Sequence, residues 1–268
     1  MSTHIDAETE EDLLTQLFTE VDEDAILVDP SASLLAALGN VETDVLPTTL
    51  DVLARESVLK TVRDDFLIAS DLADHVSTDR LTLRVFTGTP ETTLLATPET
   101  LHAIIVGEGL DPVALPEDDT SVTADVCATS REQFSEAESF NLRTPGRTRA
   151  LDRLGADVGT AVREDFEAIL DTLEEVTDET IDEVTLALLV TARNEAQLYT
   201  ISRWGEDVGL ASRATFSRMK TELENAVLIT TEKVPTDVGR PRLRLLLADD
   251  ELAAADVDAF ATVAQEKL

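Results

Sequence analysis

The chain has 268 residues, enough for two ordinary domains, and its 43% apolar content belongs to a folded protein rather than a disordered one. Asp and Glu number 55 against 21 Lys and Arg, a formal net charge of −34. Cys127 is the single cysteine, which excludes an intrachain disulfide and a cysteine-rich metal site, and no apolar run reaches the roughly eighteen residues of a membrane span.

The acidic excess runs the whole length, and Lys60, Lys220, Lys233 and Lys267 are the only lysines among the basic residues. The expectation is a protein adapted to molar salt, where carboxylates keep the surface solvated and salt screens their repulsion, with a merely acidic protein as the alternative. Because the screening length falls to about 3 Å at such salt, only local charge decides what the surface attracts. His4, His75 and His102 show no ligand spacing, so neither a metal nor another cofactor is expected. The acidic start "MSTHIDAETEEDLL" is not a signal peptide, and a cytoplasmic protein with no membrane association is expected.

In chain order, "EEDLLTQLFTEV" from Glu10 to Val21 repeats apolar residues at helical spacing, and "AILVDP" is a short buried strand closed by Pro30. "SASLLAALGN" supplies a serine cap, a Leu/Ala helix and a Gly39 stop. Next come a strand in "TTLDVLA", one long helix or two in "SVLKTVRDDFLIASDLADHV", and strands in "LTLRVFTG", "TTLLAT" and "HAIIVG". "DVCATSREQFSEAESF" is a helix. The pattern predicts an α/β N-terminal domain, a small open sheet flanked by helices, whose strand order the sequence does not fix.

"NLRTPGRTRALDRL", residues 141–154, breaks this rhythm with Pro145 and Gly146 and marks the boundary. Its arginines Arg143, Arg147, Arg149 and Arg153 are expected to pair with surrounding carboxylates, with contact to DNA or a partner as the alternative. The division expected is a sensor or dimerisation domain over residues 1–143, a linker and connecting helix over 144–178, and a third part over 179–268.

That third part opens with the apolar helix "IDEVTLALLVTARNE". "LYTISRWGEDVG" then puts Leu198, Ile201, Trp204 and Val208 on one face before Gly209 stops it. "LASRATFSRMKTELENAVLI" follows, with Ser212 as N-cap and Phe216, Met219, Leu223 and Val227 facing inward. Two short helices joined at a glycine are a helix-turn-helix. The second helix leaves Arg213, Thr215, Ser217, Arg218 and Thr221 away from the core, residue types that bond phosphates and base edges. "LITTEKV" and "RPRLRLLLA" form a hairpin with "DVGRP" at its tip, Leu243, Leu245 and Leu247 facing in and Arg242 and Arg244 facing out. The layout is that of a winged helix.

Between Leu198 and Leu247 eight basic residues face six acidic ones, a local reversal of the chain's sign. The expected DNA-binding set is therefore Ser212, Arg213, Thr215, Ser217, Arg218 and Lys220 from the helix, with Arg240, Arg242 and Arg244 from the hairpin. The tail "DDELAAADVDAFATVAQEKL" is an amphipathic helix that either dimerises or covers the winged domain.

The stretch "TISRWGEDVGLASRATFSRMKTELENAVLITTEKV" resembles the winged-helix core of bacterial and archaeal transcriptional regulators, through Ser212, Thr215, Ser217 and Arg218 and then Leu223, Glu224, Leu228 and Ile229. It departs from them at Val227, where such proteins often carry glycine. From "FLIAS" to "TEKVPTDVGRPRLRL" the chain resembles the haloarchaeal TbsP-type transcriptional regulators along nearly its full length. The resemblance implies a promoter-binding regulator of metabolic genes in a haloarchaeon. It further implies that Ser212, Arg213, Thr215, Ser217 and Arg218 meet the major groove and that Arg240 and Arg242 meet the adjacent minor groove or its phosphates.

Partners expected on this reading are double-stranded promoter DNA and a second copy in a homodimer. The N-terminal domain is either a sensor for a small-molecule metabolite effector or a second dimer surface. Two other classes stay open: a winged-helix protein that binds a transcription-machinery partner without touching DNA, and an α/β enzyme. No enzyme is expected, because "VGEG" lacks the third glycine of a dinucleotide loop, and no phosphate loop, nucleophile elbow or metal triad is present.

Overall fold

The computed structural model describes residues 4–21, 24–88, 92–107, 109–174, 181–235 and 241–268, with backbone alone at 171–174 and 258. The chain divides into two compact units, Met1–Arg147 and Thr148–Leu268.

The first unit runs β1 (Ile5–Asp6), α1 (Glu10–Thr19), β2 (Ala25–Val28), α2 (Ala32–Asn40), β3 (Leu50–Arg55), α3 (Glu56–Asp64), α4 (Phe66–Ser77), β4 (Leu81–Phe86), β5 (Thr93–Ala96), β6 (Leu101–Gly107), β7 (Leu110–Pro116) and α5 (Thr120–Glu136). The strands form one mixed sheet in the order β1-β7-β6-β5-β2-β3-β4. β2, β3 and β4 are mutually parallel, whereas β5, β6, β7 and β1 pair antiparallel.

Alternation along β2 sorts the core into two layers. Ala25 and Leu27 pack with Leu13, Leu17, Leu34, Leu38, Leu59 and Leu72 of α1 to α4, while Ile26 and Val28 pack with Cys127 of α5 on the other face. The expected α/β domain with an open sheet is observed. The segment left as one helix or two is two, because Asp65 ends α3 and turns its carboxylate to accept from the Ile68 amide at 3.1 Å, capping α4. α5 begins earlier than expected and stops at Glu136. The residues beyond it run beside β4, with the Val85 amide donating to the Glu138 carbonyl and the Phe140 amide to that of Leu83. β1 and β7 were not anticipated.

The second unit holds α6 (Arg147–Asp157), α7 (Thr160–Glu174), α8 (Glu183–Arg193), α9 (Leu198–Asp207), α10 (Arg213–Asn225), β8 (Ile229–Val234), β9 (Arg242–Leu247), α11 (Asp250–Ala254) and α12 (Val257–Gln265). The segment expected as linker and connecting helix is thus mostly α6 and α7, and their apolar faces belong to this unit's core. Phe166 of α7 meets Trp204 of α9 edge to face at 5.8 Å, and the Trp204 indole N–H donates to the Ala150 carbonyl of α6 at 2.9 Å. α8 is buried on every side from Val184 to Ala192, with α7, α9, α10 and β9 packed against it. The tail helix α12 buries Phe260, Ala261 and Ala264 within the unit, with the Arg193 guanidinium of α8 over the Phe260 ring. At the boundary, Arg147 pairs with Asp71 at 3.4 Å, one of the expected arginine–carboxylate contacts.

Candidate nucleic-acid interface

The α9–α10 turn is set by two glycines. Gly209 takes φ +80 and lets the Leu210 amide reach back to the Gly205 carbonyl at 2.9 Å, closing α9. Gly205 lies so near α10 that a Cβ there would come within 2.3 Å of the Phe216 ring. Ser212 then caps α10, its hydroxyl accepting from the Thr215 amide at 3.2 Å. The first turn of α10 carries no acidic residue, leaving the partial positive charge of that end uncompensated.

At 3.6 residues per turn, Phe216 and Leu223 face the core, and Arg213, Ala214, Ser217, Arg218, Thr221, Glu222 and Asn225 are exposed. The hairpin β8–β9 follows, pairing antiparallel from Ile229↔Leu247 to Val234↔Arg242. Leu245 is buried and fixes β9. Its amide donates to the Ala196 carbonyl at 2.9 Å, so a third backbone segment, just before α9, ties the hairpin to the helices.

The sequence-expected residues do not all lie together. Arg213, Ser217 and Arg242 converge with Tyr199, Ser202 and Pro241 on a concavity of about 440 Å³, and Arg218 stands on the same exposed face of α10. Ser212 and Thr215 serve the helix cap, their hydroxyl oxygens 3.0 Å apart. Lys220 is turned away: its side chain is 14% exposed and its ammonium meets Glu224 at 2.7 Å. The other Glu224 oxygen accepts from the Thr231 hydroxyl of β8, so this cluster bolts α10 to the hairpin. Burial pushes the Glu224 carboxyl up, but the hydrogen bonds from Lys220 and Thr231 outweigh it and hold the group below its ordinary value. Arg244 is half-buried opposite Glu232. Arg240 lies outside the described residues.

Tyr199 went unnoticed in the sequence because it sits off the apolar stripe of α9, yet it is 41% exposed and stands where α9, α10 and β9 meet. The Arg242 guanidinium carbon lies 3.7 Å from its ring centroid, and that of Arg213 lies 5.9 Å from it. Arg213 also pairs with Glu206 at 2.7 Å, and Arg218 with Glu222 at 3.3 Å. Among the described residues, no group of His, Cys, Asp and Glu could hold a metal ion, and no helix is long and apolar enough to cross a membrane.

A capped second helix with a basic and hydroxylic exposed face, set on the core by a glycine turn, defines a helix-turn-helix protein. Comparison with known families agrees. Residues 146–265 match the family described as "Transcriptional regulator TbsP-like, C-terminal HTH domain", and residues 2–145 match "Transcriptional regulator TbsP-like, N-terminal". The chain belongs to the TbsP-like transcriptional regulators. No curated relative matches. Among solved structures, a phospholipase D family member, Nuc from Salmonella typhimurium, is 9% identical over 48% of this chain and 89% of its own. Its TM-score of 0.35 is too low to carry an argument.

Proposed function

We propose that this chain is a sequence-specific DNA-binding regulator of transcription that reads promoter duplex with α10 and steadies it with the β8–β9 hairpin as a wing. The observation that carries the reading is the exposed face of α10. Arg213, Ser217 and Arg218 project from a helix fixed at both ends, beside Arg242, and within reach of one major groove and its flanking phosphates. The local charge reversal supports it, since in molar salt a phosphate senses only its nearest neighbours. The composition supports a halophilic, archaeal setting and work in the cytoplasm, and control of metabolic genes is part of the same proposal.

A homodimer would present two α10 helices to successive turns of the duplex, about 34 Å apart. The N-terminal unit supplies an effector role. The sheet changes from parallel to antiparallel pairing at β2, and a cavity of about 540 Å³ opens there, between the carboxyl end of β2 and α5. Ligands of α/β sheets bind outside the carboxyl ends of the strands, where this cavity lies. Asp29 at its edge is buried, holds φ +52 and meets Arg55 at 2.7 Å, a strained arrangement of the kind found at ligand sites. Catalysis is not part of the proposal.

The test is selection of binding duplexes from a random pool on the full chain at high potassium, followed by band shifts. An enriched motif, lost when Arg213, Arg218 and Arg242 are all changed to Ala, is expected. Failure to enrich any motif, together with retention of a transcription-machinery partner, would favour the reading in which the winged helix binds protein alone.

A further inference from the structure

We propose that Tyr199 is a positioning residue of this surface, whose ring holds Arg242 of the hairpin and Arg213 of α10 in one arrangement so that the two elements meet DNA as a unit. The inference rests on the DNA-binding reading above and deepens it.

Tyr199 is the only tyrosine of the chain and the second residue of α9. The core face of that helix is made by Ile201 and Trp204, both buried, and Tyr199 does not share it. A large aromatic side chain left two-fifths exposed needs another reason to be there, and the neighbouring guanidinium groups supply one. The Arg242 carbon at 3.7 Å from the ring centroid is at stacking distance, and the Arg213 carbon at 5.9 Å is within range of the ring's quadrupole. These arginines come from separate elements, α10 and β9, and the Tyr199 ring of α9 lies under both guanidinium groups.

The physical consequence concerns the plane of Arg242. A guanidinium stacked on a ring keeps its N–H edge free while losing its rotational freedom, so it reaches a phosphate or groove edge already oriented. Arg213, Arg218 and Arg244 each meet a carboxylate, whereas among the described residues Arg242 has none within ion-pair distance. Its side chain is ordered by the ring instead. The concavity around Tyr199 is lined by Arg213, Arg242 and Ser217, donors that a phosphodiester would satisfy, while the buried Ser202 hydroxyl beneath them donates to the Tyr199 carbonyl at 3.2 Å.

The test uses the full chain and a fluorescent duplex carrying the motif enriched on the wild type. Tyr199→Phe keeps the ring and should bind within about twofold of wild type, while Tyr199→Leu should weaken binding about fivefold with an unchanged melting temperature. Arg242→Lys, which keeps the charge but cannot stack its plane, should lose as much, and Tyr199→Leu should cost less in an Arg242→Ala background than in wild type, the remainder being the hold on Arg213. In the free protein, the Arg242 Nε–H should be ordered by nitrogen-15 relaxation in wild type and Tyr199→Phe and mobile in Tyr199→Leu. Wild-type affinity in Tyr199→Leu or in Arg242→Lys, or additivity with Arg242→Ala, would overturn the proposal. Equal loss in Tyr199→Phe would overturn it too, by shifting the role to the hydroxyl. A wild type that enriches no duplex would contradict the DNA reading itself, and the relaxation of Arg242 would still decide whether the ring orders it.

Discussion

Val227 is a β-branched residue held at φ +61, in the left-handed region, and it is 66% exposed. The position ends α10. The Leu228 amide donates to the Leu223 carbonyl at 3.0 Å and the Val227 amide to that of Glu224 at 3.1 Å, a closure that glycine makes without strain. Val227→Gly is therefore expected to stabilise the C-terminal unit by about 1 kcal/mol, the left-handed penalty less the extra entropy of a glycine. Urea unfolding followed by fluorescence of Trp204, the only tryptophan, measures it, and an unchanged or lowered midpoint would refute the account of this cap. Gly205 gives the opposite case. Gly205→Ala has to displace the fully buried Phe216 ring and should cost about 1–3 kcal/mol by the same measurement.

At the scale of elements, α4 and the interior strand β6 each carry a buried histidine whose charged form is disfavoured. His75 is pushed below its ordinary 6.5 by burial, against the opposing pull of the Gly39 carbonyl, which its Nε2 meets at 3.2 Å. His102 is lowered by burial, with Glu20 opposing. Because the unfolded chain binds protons at these sites more readily, their contribution is complete above about pH 6.5 and is lost as pH falls from there towards the lowered folded values. Melting of the N-terminal unit should fall between about pH 8 and about pH 5.5, and it should fall less in a His75→Gln, His102→Gln double variant. An equal fall in both would assign the effect to other groups.

The helices around the turn were legible because their signals are local: the Ser212 cap, the Gly209 stop and a 3.6-residue apolar stripe. β7 was not, since Pro112 and Pro116 interrupt the alternation that marks a strand. In the structure Pro112 falls where the register slips between Ile105 and Gly107, a bulge at which the missing N–H goes unneeded. Lys220 and Tyr199 were misjudged or unseen for a related reason. Which way each points depends on the hairpin packing beside α10, and neither helical spacing nor residue type carries that information. Strand order was illegible for the same cause, as β5 reaches β2 only by returning antiparallel to it.

At the scale of the whole molecule, a net charge of −34 is compatible with the proposed DNA-facing surface because the basic groups are local and already engaged. Arg213, Arg218 and Arg244 each lie beside a glutamate of their own, so a phosphate replaces a carboxylate rather than meeting a bare cation. Affinity should therefore fall with salt less steeply than the number of phosphate contacts implies. Glu206→Gln, which frees Arg213, should raise affinity most at low salt and steepen the slope of log affinity against log salt; an unchanged slope would show that this pair does not compete with DNA.

The central claim is that the exposed face of α10 reads bases while the hairpin contributes contacts indifferent to sequence. It is tested most directly by measuring Ser217→Ala, Arg218→Ala and Arg242→Ala against every single-base variant of the enriched duplex. The account predicts that Ser217→Ala and Arg218→Ala each erase preference at one or two base pairs, worth about 1–3 kcal/mol at the position read, while Arg242→Ala weakens all sequences nearly alike. Base preferences left intact by both α10 variants would contradict it.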